Sequence, residues 1–153
     1  MSTPQPRQAF RRDNWEACFA LAVERARKKT FALGSFDCCL LAADLILSIT
    51  GVDMAAEFRA QYGTTKEALA ILNERGGLVP FVESLCREHG MTPRSPSYAQ
   101  RGDLLFVRTQ DEGWPLVVGI ASGSVAIVPA QGCGVTFVPV SQWVACWHIE
   151  HHA

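Results

Sequence analysis

The sequence predicts a single α+β domain, with helices first and an antiparallel sheet second. Two observations carry this. Apolar residues recur at helical spacing as far as about residue 89, and beyond Gly90 the pattern shifts to short β-type runs separated by glycine-rich turns. The length of 153 residues and the 48% hydrophobic content suit one domain with one buried core.

Residues 1–12 form a Pro/Gln/Arg-rich arm without periodicity, expected to be mobile or to pack on a partner. Residues 13–153 form the domain. Trp15, Cys18, Phe19, Ala22, Val23 and Ala26 share one helical face, which predicts a first helix from Trp15 to about Lys29 with Asp13 or Asn14 as N-cap. The second helix, Cys38 to Thr50, is apolar nearly all round and is therefore expected to be buried. Asp37 is its N-cap and Gly51 its C′ residue. Asp44 inside that helix needs partners, and a hydrogen bond to loop backbone is expected. Met54 to Arg59 adds a short helical turn. Thr64 and Glu67 form a capping box for a third helix to Arg75, and Pro80 opens a fourth, which ends near His89.

A Pro-rich connector, 91–102, leads to about five strands, near 104–108, 116–121, 125–129, 135–138 and 145–150. Asp111-Glu112-Gly113, Ser122-Gly123 and Gly132-Cys133-Gly134 supply the turns, and Asp103 caps the turn before the first strand. Trp114, Trp143 and Trp147 read as strand-end or core residues.

Composition narrows the function classes. Charged residues make up 19% and the net charge is -1, with no dominant basic stripe, so no nucleic-acid partner is expected. The Arg/Lys cluster in the first helix reads as a solvated face. The longest apolar run, Leu40 to Ile49, is broken by Asp44 and is too short for a membrane span. The polar start, Met1 to Pro6, lacks the apolar segment of a signal peptide, so synthesis and folding in the cytoplasm are expected. Six cysteines are present without a CxxC frame. Cys18 and Cys86 fall on apolar helix faces, Cys133 falls in a turn, and no metal or cofactor is expected.

The chemistry concentrates at Asp37-Cys38-Cys39. A cysteine in the first turn of a helix meets free N–H groups and the positive end of the dipole, which stabilise its thiolate. Cys38 is therefore a candidate nucleophile, and a buried thiol at a helix start is the alternative.

The stretch Phe31-Ala32-Leu33-Gly34-Ser35-Phe36-Asp37-Cys38-Cys39-Leu40-Leu41 resembles the signature of the NlpC-type, papain-like cysteine peptidases: an aromatic residue, then glycine, then Asp-Cys-Ser-Gly and a hydrophobic helix. Gln100-Arg101-Gly102-Asp103-Leu104-Leu105-Phe106 is similar to the Pro-Gly-Asp-Leu strand of that superfamily. Val117-Val118-Gly119-Ile120 is similar to its His-Val-Gly-Ile strand, and Val128-Pro129-Ala130 to the strand after it. The resemblance covers about residues 31–130. It implies a papain-like fold with the buried helix packed on the sheet and Cys38 as nucleophile.

Three positions depart from the family pattern, the first being Cys39, which replaces the serine after the nucleophile. Val117 stands where the resemblance places the catalytic histidine, and Pro129 where a third polar residue is common. Valine takes no proton, so a base must come from elsewhere. His148, on the last expected strand, is the candidate. His89 reads as a helix-terminal cation, and His151 and His152 as solvated ends.

The Asp-Cys-Cys core, the Thr50-Gly51 after the helix and Tyr62-Gly63 resemble a phage- or prophage-encoded subfamily found among tail genes. That resemblance implies a tail-tip or tail-assembly protein with a degenerate peptidase fold, other tail proteins as partners, peptidoglycan as a further ligand, and passage from host cytoplasm to virion tail. The alternative is an active cysteine endopeptidase that trims peptidoglycan stem peptides as a phage enters its host. A metal or iron–sulfur site built on Cys38 and Cys39 is a third reading, and the spacing matches no standard frame.

Overall fold

Asp37 starts the central helix as the sequence predicts. Its side chain accepts from the Leu40 N–H, and Gly51, at φ 77°, closes the helix. The computed structural model describes residues 6–151. Its helices are α1 (Trp15–Ala26), α2 (Cys38–Thr50), α3 (Thr65–Glu74) and α4 (Leu78–Glu88). The strands are β1 (Thr92–Arg94), β2 (Leu104–Arg108), β3 (Leu116–Ser122), β4 (Val125–Pro129), β5 (Val135–Pro139) and β6 (Trp143–His148).

The strands form one antiparallel sheet in the order β1-β6-β2-β3-β4-β5. The expected α+β class holds, with six strands instead of about five. The added strand, β1, comes from the Pro-rich connector and pairs Thr92 with His148 and Arg94 with Cys146. Its proline is exposed at the outer edge of the sheet, where a missing N–H costs no ladder bond. The first helix ends at Ala26, and Arg27 and Lys28 continue only as a turn. Asn14 caps it without a side-chain bond.

Strand alternation separates two apolar layers. Leu104, Phe106, Val118, Ile120 and Trp147 face the helices and pack with Phe19, Leu41, Leu45, Ile46 and Ile49. Leu105, Val107, Ala121, Ala126 and Cys146 form a second layer on the reverse face. Burial pushes the Cys146 thiol up to about 12 and raises Cys86 further, so both act as apolar fillers.

The described part of the N-terminal arm is bound to its own domain. Ala9 N–H donates to the His89 carbonyl at 2.8 Å, Arg11 N–H to the Glu150 carbonyl at 2.9 Å, and Arg12 N–H to the Ile49 carbonyl at 3.0 Å. Arg11, on the arm expected to be mobile or to pack on a partner, is instead 3% exposed within its own domain. It donates to the Ile149 and Arg101 carbonyls and to Asp103, and stacks on Trp15 with 4.4 Å to the ring centroid. Residues 1–5 lie outside the described residues.

Candidate functional site

Cys38 occupies the first position of α2, where helix packing against β3 and β4 holds it at the sheet. Beneath it, Asp37 accepts from three donors: the Leu40 and Gly34 N–H groups at 3.0 Å each, and the Tyr62 hydroxyl. Burial, then the Asp37 carboxylate, raises the Tyr62 pKa far above the usual phenol range, so Tyr62 remains a donor. The loop carrying Tyr62 crosses closely over Gly34. Gly34 has φ +82°, and a Cβ there would lie 1.9 Å from the Tyr62 carbonyl oxygen. Arg59 ties the same loop to α2, with Nη2 at 2.8 Å from Asp44 and Nε at 2.9 Å from Asp53. Asp44 thus bonds the Arg59 guanidinium, with Lys29 at 3.4 Å, and not the loop backbone expected from sequence.

The β3–β4 ladder supplies the opposite wall. Paired residues run from Ser122↔Val125 to Ile120↔Ile127 and stop there. Ala121 N–H donates to Asp103, next to β2, so by alternation the Val118 N–H points away from β2 to where β4 would continue. The residue that would face it is Pro129. The strands have parted at this point, and the Val118 N–H favours the Cys38 thiolate.

The Cys38 pKa is lowered, first by the thiol hydrogen of Cys39 and also by the N–H groups of Val118 and Cys39. Burial and the Asp37 charge oppose them. The Cys39 thiol is correspondingly held well above its usual range, because its hydrogen is committed to Cys38. Cys38 and Cys39 are both free and partly exposed. They line a cavity of about 650 Å3 together with apolar side chains of α2, α3, α4 and the sheet, among them Ile46, Leu72, Phe81, Leu104 and Val118. Its volume is that of a small-molecule site.

A family model matches residues 10–149, described as a domain of unknown function, DUF6950. The chain belongs to this family. No curated protein matches it. The match begins within the arm read from sequence as separate, and in this DUF6950 domain Arg11 is a buried part of the fold.

The site residues expected from sequence separate into two groups. Cys38, Asp37, Val117 and Pro129 all line the cavity, although the Val117 side chain packs with the reverse-face layer. His148 does not join them. It lies on the face opposite Trp147, with Nδ1 at 2.9 Å from Asp103 Oδ1 and Nε2 at 3.8 Å from Glu150. Pairing with Asp103 holds it there, which corrects its assignment as base for Cys38. Asp103 does more than cap a turn: it also accepts from Arg11, the Ile149 N–H and Gln100 N–H. His89 Nδ1 is 2.6 Å from the Arg7 carbonyl, and His151 pairs with Arg11 as an isolated bridge. His152 lies outside the described residues. Among the described residues no group of three His, Cys, Asp or Glu could hold a metal ion, and no helix is long and apolar enough to cross a membrane.

Sequence reasoning missed the roles of Tyr62 and Arg11. The Tyr62-Gly63 pair was visible only as a family-like motif. Arg11 carried no signal, because its partner Asp103 is 92 residues away.

Proposed function

We propose that this chain is a phage- or prophage-encoded tail-tip or tail-assembly protein on an NlpC-like, papain-like scaffold, and that its cavity binds ligand without cleaving amide bonds. One observation carries the second part: no described imidazole reaches Cys38. Amide cleavage needs a group that protonates the departing amine, a task the histidine performs in a Cys–His pair. Here the described cavity wall offers Asp37, Cys39, Tyr62, Arg108 and Asp111 as its other ionisable side chains. Asp37 is occupied by three donors, and Tyr62 is held protonated by burial and by Asp37. The order of the sequence motifs, with the Asp-Cys at the head of a buried helix packed on an antiparallel sheet, supports the NlpC-like reading.

The stabilised Cys38 thiolate favours the competing reading, an active peptidoglycan endopeptidase. Incubating purified protein with soluble stem peptides separates them. No new amino termini are expected by chromatography and mass spectrometry. Cleavage that vanishes in Cys38→Ala would establish the peptidase instead. Fractionation of induced phage particles tests the tail assignment, with the chain expected to travel with tails.

A further inference from the structure

A thiolate without a partner acid is not chemically idle. It fails with amides because an amine leaves poorly unless protonated. A thioester differs, since its leaving group is a thiolate, with a conjugate acid near the ordinary thiol pKa of about 8.5, and it departs without a general acid. Attack by a thiolate on a thioester therefore needs only a populated nucleophile and a place for the acyl group.

Both are built here. The Cys38 sulfur is served by the Cys39 thiol and by two backbone N–H groups, one of them released where β3 and β4 part. Beside it lies the cavity of about 650 Å3, walled by Ile46, Phe58, Leu72, Phe81, Leu85 and Leu104 from five parts of the chain. Its outer rim includes the exposed Arg108, Asp111 and Gln131, where a polar carrier could remain in solvent.

We infer that Cys38 is an acyl acceptor for thioesters of long apolar acids, with the acyl chain housed in this cavity. The step balances. The Cys38 sulfur forms a bond to the acyl carbon, the bond from that carbon to the donor sulfur breaks, and the donor leaves as a thiolate that takes a proton from water. No oxidant or metal takes part. The described wall holds no imidazole to activate water, so the new thioester persists. The inference rests on the reading of the cavity as a site that does not hydrolyse amides, and its readout is independent of peptide turnover.

The test uses the full chain with palmitoyl coenzyme A, acetyl coenzyme A and intact-mass spectrometry. One palmitoyl group is expected per molecule, mapped to the Cys38 peptide and removed by neutral hydroxylamine. Labelling should persist in Cys133→Ala, whose exposed thiol lies outside the cavity, and vanish in Cys38→Ala. Peptide mapping of the unmodified sequence locates the adduct even if Cys38→Ala folds poorly. Palmitoyl transfer should exceed acetyl transfer by at least about tenfold, because each buried methylene adds to binding. No adduct, an adduct spread over Cys133 and Cys18, or equal rates for the two donors would overturn the proposal. Stem-peptide cleavage alongside normal acylation would overturn only the function proposed above.

Discussion

The Arg11 guanidinium and the Asp103 carboxylate meet at 2.7 Å with both side chains sealed from solvent, joining the N-terminal segment to the start of β2. His148 shares the same carboxylate at 2.9 Å. A buried ion stripped of its partner is far more costly than an absent pair. Arg11→Met is therefore expected to destabilise the domain by about 3–5 kcal/mol in chemical denaturation. Arg11→Met combined with Asp103→Leu should cost less than the sum of the single changes, because the pair is coupled. Additive losses would show that the two residues act separately.

Gly34 carries the close crossing of the Tyr62 loop. Gly34→Ala places a methyl group on the Tyr62 carbonyl and forces alanine into a left-handed conformation. A loss above about 1 kcal/mol is expected, with faster proteolysis within residues 53–63. An unchanged melting temperature and cleavage pattern would mean that the loop shifts freely.

Cys39 controls the reactivity of Cys38. Its thiol hydrogen is the leading cause of the lowered Cys38 pKa, so removing it in Cys39→Ala must move that pKa upward. The rate of iodoacetamide alkylation at Cys38, followed against pH, should show its midpoint below that of an ordinary thiol, about 8.5, in the natural sequence and a higher midpoint in Cys39→Ala. Superimposable profiles would assign the reactivity to the backbone alone.

Cys146 makes stability fall at high pH. Its folded pKa, about 12, exceeds the unfolded value of about 8.5, so the protonated thiol favours the native state. That contribution is complete below pH 8.5 and is lost as pH rises toward 12. The unfolding free energy should drop with a Cys146 share of up to about 1.4 kcal/mol per pH unit above 8.5. Cys146→Ala, compared with the natural sequence between pH 8 and 10.5, should be flatter by that share.

The parts of the fold legible in the sequence were those written in local chemistry. Asp37 and Gly51 bracket α2 as cap and C′ residue, and the Thr64–Glu67 box opens α3 with bonds at 3.1 Å. The turn glycines likewise separate β3, β4 and β5 close to the expected positions. What stayed hidden depends on distant pairing. The three residues of β1 include a proline and become a strand only because β6 lies beside them. Arg11 stayed hidden because the carboxylate that buries it is Asp103, 92 residues away, and not the neighbouring Asp13. His148 sits beside Trp147, and only the sheet register settles which of the two faces α2. The parting of β3 and β4 at Val118 was equally silent, since an interrupted ladder leaves no compositional trace beyond Pro129.

Arg11 and His151 bridge each other, and the Arg12 N–H is fastened at Ile49, near the last turn of α2. Cys38 is at the other end of that 13-residue helix, about 18 Å away at 1.5 Å per residue. A handle grafted before residue 11 or after residue 151 would therefore hang from one pole of the molecule and leave the thiol pole unobstructed. Immobilising the domain by either handle should present the same reactive end to whatever flows past.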